Sequence, residues 1–162
     1  MAIQFKLKFI AQSVMVDKIH SPKPVIVETM TVDKKTGIVH NFFDNMKYME
    51  LGGAIRPGSL TKGNDGWWTF YHNIAGESRM RYTSDPKFGI LDHIFIGGGL
   101  EWHVFVRIIP NEDGCTVTWT FIKPDGLSDD QFHKQLTNFD SEISNWKSSL
   151  EGNENSIRNS QI

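Results

Sequence analysis

The sequence predicts a fold of the α+β class, in which a twisted antiparallel sheet of six or seven strands packs against a long C-terminal helix. Two observations support this prediction. Strand-like stretches and short turns fill residues 54–123, and strands joined by such short turns must be antiparallel. Residues 128–151 then carry one apolar stripe at helical spacing. Because strands and helices are segregated and the sheet has one apolar face, we expect the terminal helix to cover that face.

The first predicted strand is Val25–Val32, a run rich in β-branched residues. From residue 34 to residue 51 the apolar spacing becomes helical, with a break near Asp44 and Asn45. We therefore expect two short helices to follow the first strand.

The strands of the central region differ in how clearly the sequence marks them. In chain order they are a weak strand Ala54–Thr61, interrupted by Pro57, then Trp67–His72, Ser78–Tyr82, Phe88–Ile96, Leu100–Ile109 and Cys115–Lys123. The last two form the clearest hairpin, because apolar and polar residues alternate along both of them.

The C-terminal helix is predicted over Ser128–Glu151. Ser128 and Gln131 have the spacing of a capping box, and Gly152 is suited to end the helix. Large apolar residues recur every three or four positions, at Phe132, Leu136, Phe139, Ile143, Trp146 and Leu150. The other faces carry polar residues such as Asn138, which we expect in water. Alone in water such a helix is marginal, so its stripe needs a partner surface.

The expected domain organisation has three parts. Residues 1–22 form an N-terminal extension that adds an edge strand or stays mobile, because strand-like alternation at its start ends in a proline-containing breaker. Residues 23–152 form the folded domain. Residues 153–162 form a polar tail that we expect to be disordered.

Composition excludes several classes of function. The net charge of −2 gives no electrostatic footprint for nucleic acid. No apolar run is long enough to span a membrane. The lone Cys115 permits no internal disulfide and fits a reducing, cytoplasmic compartment. The histidines lack metal-ligand spacing, so we expect neither a metal nor another cofactor.

Asp92 and His93 are the first candidates for chemistry. Neighbours on a strand point to opposite faces, so only one of them can face the helix. A two-residue turn at Gly98-Gly99, the favoured hairpin connection, would pair His93 with Val104 and turn His93 inward, whereas a three-residue turn would turn Asp92 inward. An inward His93 could anchor a ligand or act as a general base, or it could be a core histidine bonded to a tyrosine or a backbone group.

Three motifs resemble a known superfamily. They are Gly89-Ile90-Leu91-Asp92-His93, Arg107-Ile108-Ile109-Pro110-Asn111 with Gly114, and Gly126-Leu127-Ser128-Asp129-Asp130-Gln131-Phe132. With the element order, they resemble an uncharacterised bacterial subgroup of the START and birch-pollen-allergen superfamily, also called SRPBCC or polyketide cyclase/dehydrase-like. The resemblance covers roughly residues 25 to 151. It implies a helix-grip fold, with a cavity between the curved sheet and the long helix.

With the cavity that this resemblance implies, we expect the chain to bind a small hydrophobic ligand, lipid-like or polyketide-like. Catalysis is less favoured, because His93 is the one plausible acid/base group on the predicted inner face. The expected ligand-binding residues are Trp67, Tyr71, Met80, Tyr82, His93, Trp102, Trp119, Phe132, Leu136 and Phe139. One alternative is a cyclase or dehydratase that uses His93 as its acid/base, and another is a co-chaperone-like protein-binding module. A solid core built from the same aromatic residues is the simpler interpretation. We expect a monomer or a weak homodimer.

Overall fold

A computed structural model describes residues 21–152 of the chain. Its strands are β1 (Val25–Val32), β2 (Thr61–Lys62), β3 (Trp68–His72), β4 (Gly76–Asp85), β5 (Ile90–Gly97), β6 (Leu100–Asn111) and β7 (Gly114–Ile122). They form a seven-stranded sheet in the order β1-β7-β6-β5-β4-β3-β2, and every neighbouring pair is antiparallel. The predicted α+β class and antiparallel sheet are therefore confirmed. Residues 1–20 of the predicted extension and the predicted tail, 153–162, lie outside the described residues.

Two short helices follow β1, as predicted. They are α1 (Thr36–Asp44) and α2 (Met46–Met49), and a 3₁₀ turn at Glu50–Gly52 continues α2. Asn45 separates the helices, where its side-chain oxygen accepts a hydrogen bond from the backbone N–H of Lys47 at 3.1 Å. Asparagine favours such cap positions because its side chain replaces a backbone partner.

The weak strand predicted over Ala54–Thr61 is wrong in extent. Only a single bridge from Ile55 to His72 and the two residues of β2 pair with the sheet in this region. Between them, Pro57 has no N–H to donate and Gly58 adopts a φ of 75°, so the segment cannot continue as a ladder.

The predicted long C-terminal helical segment is present, and a two-residue interruption at 137–138 divides it into two helices. It consists of α3 (Asp129–Leu136) and α4 (Phe139–Gly152). Ser128 caps α3 with the predicted capping box. At the interruption the Thr137 hydroxyl donates to the carbonyl of His133 at 3.3 Å, and such local bonding by threonine and asparagine competes with helix continuation. No helix in the described part of the chain is long and apolar enough to cross a membrane.

The core lies between the inner face of the sheet, α1 and α4. Phe43, Trp119 and Trp146 meet there, with ring centres 5.4 to 6.1 Å apart. The indole N–H of Trp146 donates to the carbonyl of Met49 at 3.4 Å. A side chain at Gly52 would place its Cβ 2.6 Å from the Trp146 ring, so this contact requires glycine. The 3₁₀ turn thus forms a seat for α4.

Candidate functional site

A cavity of about 330 Å³ lies between the inner face of the sheet and the α3–α4 segment. Aromatic and aliphatic side chains supply most of its wall, which is typical of sites for small apolar molecules. Its principal lining residues are Met49, Ile55, Phe70, Met80, Phe95, Leu100, Trp102, Val104, Trp119, Phe121, Leu136, Phe139 and Trp146. The more polar side chains of the wall belong to His72, His93, Gln135, Asn138 and Glu142.

The cavity opens to solvent where lining residues are also exposed. Gln135, in the last turn of α3, and Asn138, within the helix interruption, are exposed, as are Ile74 and Gly98 in turns of the sheet. Asn138 was expected in water on the far face of a continuous helix, but the interruption places it at this rim. The break between α3 and α4 therefore forms one side of the entrance.

The β5–β6 hairpin decides which of the adjacent residues Asp92 and His93 faces the cavity. Gly97 pairs with Leu100, so the connection has two residues, Gly98 and Gly99, both with positive φ. His93 pairs with Val104 and lines the cavity. Asp92 faces the other way, where its carboxylate accepts from the Val106 N–H at 2.9 Å and forms an ion pair with Arg107.

His93 is held as a neutral imidazole. Burial lowers the pKa of His93 to about 4, and the Leu91 carbonyl and the Asp92 charge only partly oppose this effect. The hydrogen bond from Nδ1 to the Leu91 carbonyl is long, at 3.5 Å. Since a carbonyl can only accept, Nδ1 carries the proton and Nε2 keeps a lone pair. The ring of Tyr82 contacts the His93 ring edge-on, with centres 5.4 Å apart.

Tyr82 was expected among the ligand-binding residues, but the structure places it outside the cavity wall. The hydroxyl is buried and has no hydrogen-bond partner among the described residues. Burial, followed by the negative charge of Asp44, raises the pKa of Tyr82. Tyr82 therefore supports His93 through ring contact alone.

Trp67 and Tyr71 were expected at the site and instead lie on the outer face of the sheet. The guanidinium carbons of Arg79 and Arg81 sit 4.7 and 4.9 Å from the Trp67 ring centre. That of Arg56 lies 3.7 Å from the Tyr71 ring centre. On β3 it is Trp68, paired with the inward Met80, that packs on the core. A one-residue error in strand parity moves a side chain to the opposite face, and this stretch offered two adjacent tryptophans.

Phe132 was also predicted to line the site, and it lies in the core beside it. Its side chain is fully buried, and its ring packs on Trp102 with centres 5.9 Å apart. The remaining predicted residues do line the cavity, namely Met80, His93, Trp102, Trp119, Leu136 and Phe139. Phe132 thus supports the wall from behind.

Glu142 is a titratable residue of the cavity wall that sequence reasoning missed. It lies between Phe139 and Trp146 on α4, at the three- and four-residue spacing that places all three on one helix face. Burial raises the pKa of Glu142 to about 7, and no neighbouring charge or hydrogen bond offsets this effect. The sequence could have indicated this position, because apolar residues of the helical stripe both precede and follow Glu142.

His72 is the other titratable group of the wall. Its Nδ1 accepts hydrogen bonds from the backbone N–H groups of Ile74 and Ala75, at 3.2 and 3.1 Å. Burial lowers the pKa of His72, so the ring is neutral at pH 7. Among the described residues, no group of three or more His, Cys, Asp or Glu side chains is placed to hold a metal ion.

The sheet, the terminal helical segment and the cavity between them define a helix-grip protein. Solved structures share this fold at low sequence identity. Ara h 8.0201 matches with a TM-score of 0.59 and 15% identity, over 80% of this chain and 98% of that one. An aromatase/cyclase from a Streptomyces species matches with a TM-score of 0.60 and 12% identity, over 79% and 93%. Norcoclaurine synthase from Thalictrum, as a point mutant with a transition-state analogue, matches with a TM-score of 0.57 and 12% identity, over 85% and 99%.

The chain therefore has the fold of the START and birch-pollen-allergen superfamily, as the sequence motifs implied. No family model matches the chain, and no curated protein matches it. The finer resemblance, to one bacterial subgroup, stays a prediction.

Proposed function

We propose that this chain binds a small, mainly apolar molecule in the cavity between the sheet and the α3–α4 segment. The observation that carries the proposal is the cavity itself, about 330 Å³ in volume and walled mostly by aromatic and aliphatic side chains. Binding would be driven by removing apolar ligand surface from water, and the few polar groups would orient the ligand. The entrance between the helix interruption and the β3–β4 turn gives the ligand a route in.

Native mass spectrometry of freshly purified protein is the first test, since a bound molecule would appear as a defined mass increment. The second is titration with naphthylethanol, a neutral probe, followed by tryptophan fluorescence. We expect one probe per chain with a Kd in the micromolar range. Leu136→Trp should block binding by filling the cavity. Ile109→Trp, on an exposed position of β6, should leave it unchanged. A protein that carries no molecule and takes up no probe contradicts the proposal.

Acid–base catalysis is a second candidate, favoured by Glu142. A general acid or base works best when its pKa lies near the working pH, and burial raises the pKa of Glu142 to about 7. His93 is the weaker candidate at neutral pH, because its pKa is lowered to about 4. Against catalysis, no hydrogen bond joins His93 to a second titratable side chain among the described residues.

This candidate predicts that a copurified ligand changes mass when incubated with the wild-type protein. It should stay unchanged, though still bound, with Glu142→Gln. A ligand that is stable with both proteins contradicts catalysis and leaves the binding function. The protein-binding alternative stays a prediction from the sequence resemblance.

A further inference from the structure

The titratable side chains of the cavity wall decide what charge a ligand meets there. Among the described residues, the titratable groups of the wall are His72, His93 and Glu142, and no lysine or arginine lines the cavity. Both imidazoles are neutral at pH 7, because burial lowers each pKa. Within the described part of the wall, Glu142 is therefore the group that becomes charged near neutral pH, and its charge is negative.

The Glu142 carboxyl has no partner within the described residues. Burial raises its pKa, and no cation or hydrogen-bond donor in the described part of the chain offsets that shift. Two other carboxyl groups of this region, Glu28 on β1 and Asp140 at the start of α4, repel one another and supply no positive charge. Glu142 is only partly exposed, so an ionised carboxylate there lacks full hydration, and a ligand that brings a positive charge would offset that cost.

The surroundings of Glu142 suit an organic cation. Phe139 and Trp146 flank it along α4, and their ring centres lie 5.7 Å apart. Trp119 closes the cluster from the sheet, 5.5 Å from Phe139 and 6.1 Å from Trp146. All three rings line the cavity, and aromatic faces attract ammonium groups. His93 adds an acceptor lone pair on Nε2.

We propose that the ligand is a hydrophobic amine, whose protonated nitrogen pairs with the carboxylate of Glu142 while its apolar part fills the aromatic wall. This inference rests on the proposed binding function and names the chemical class of its ligand. A neutral ligand would leave the carboxylate unpaired, and an anionic ligand would be repelled by it.

A matched set of probes tests the inference. Naphthylethylamine, naphthylethanol and naphthylacetate share one apolar skeleton and carry a cationic, a neutral and an anionic end. At about pH 8, where Glu142 is ionised, we expect the amine to bind roughly 10- to 100-fold tighter than the alcohol, and the acetate to bind weakest. At about pH 5.5, where Glu142 is protonated, the preference for the amine should shrink.

Two variants assign the preference to one carboxyl. Glu142→Gln should remove the preference for the amine and keep the affinity for naphthylethanol, which also shows that the variant is folded. Glu28→Gln removes a carboxyl that lies near α4 but outside the cavity wall, and it should keep the preference.

The outcomes separate the inference from the function on which it rests. If the alcohol binds the wild-type protein as tightly as the amine, the amine inference fails and hydrophobic binding stands. If the preference persists in Glu142→Gln, the assignment to Glu142 is overturned. If none of the three probes binds, the binding function fails, and the inference fails with it.

Discussion

At the scale of single residues, burial acts in opposite directions on the two groups that give the cavity its chemistry. Burial raises the pKa of Glu142 from 4.5 to about 7, and it lowers the pKa of His93 from 6.5 to about 4. Each shift favours the neutral form of its group, because burial in the cavity wall disfavours charge. Both shifts oppose folding in the pH range where the unfolded chain would be charged at that group.

The two pKa shifts change the free energy of unfolding with pH in opposite directions. Between about pH 4.5 and 7 the folded state holds the Glu142 proton more tightly than the unfolded state, so this term falls as pH rises. Between about pH 6.5 and 4 the unfolded state holds the His93 proton more tightly, so that term falls as pH drops. In the shared range the two terms offset each other in the wild-type protein.

We therefore predict that Glu142→Gln makes the free energy of unfolding rise more steeply with pH than in the wild type between about pH 4.5 and 6.5. His93→Gln should make it fall with pH over the same range. Each change in slope should total about 3 kcal/mol or less across that range. Urea denaturation at several pH values measures both effects. Parallel curves for all three proteins would show that neither pKa is shifted, whatever the absolute loss of stability.

At the scale of elements, alternation and turn chemistry predicted most of the sheet. Val25–Val32 has the predicted bounds, and the two glycines at 98–99 set the hairpin register that places His93. The interruption at residues 137–138 was missed, because the apolar stripe continues across it from Leu136 to Phe139 without a change of spacing. Hydrophobic periodicity reports which face is buried, and it is insensitive to a local break that preserves that face.

The packing of Trp146 on Gly52 predicts that this contact between α4 and the 3₁₀ turn contributes to stability. Gly52→Ala should lower the free energy of unfolding by about 1–3 kcal/mol, because the added methyl group would meet the Trp146 ring. Gly37→Ala is the matched control. It lies in α1 with nothing within 4 Å of the added group, and it should raise stability by about 0.5–1 kcal/mol. Chemical denaturation measures both variants. Equal effects on the free energy of unfolding would contradict the close contact between Gly52 and Trp146.

At the scale of the whole molecule, the sequence alone could not separate a cavity from a solid core. The same tryptophans and phenylalanines serve either arrangement, and the difference depends on how far the helical segment stands from the sheet. That distance is set by contacts remote in sequence, such as Trp146 on Gly52. The polar part of the wall was the least predictable for the same reason, since Gln135, Asn138 and Glu142 reach it only through the docking of α3 and α4.

A comparison of two valines on β6 tests whether the cavity between the sheet and the helical segment is empty in solution. Val104 and Val106 are both buried on the inner face, two residues apart, but only Val104 lines the cavity. Val104→Phe should lower the free energy of unfolding by less than about 1 kcal/mol and weaken binding of naphthylethanol, because its ring enters existing space.

Val106→Phe should cost about 1–3 kcal/mol, because it forces an extra ring into a filled region. Its effect on probe affinity should be the smaller of the two, since Val106 does not line the cavity. Thermal or urea denaturation gives the first comparison, and probe titration gives the second. Because the two sites share a strand, a face and a residue type, a difference in their tolerance can come only from the volume beside them. Equal costs at the two positions would mean that the gap between sheet and helix is filled in solution.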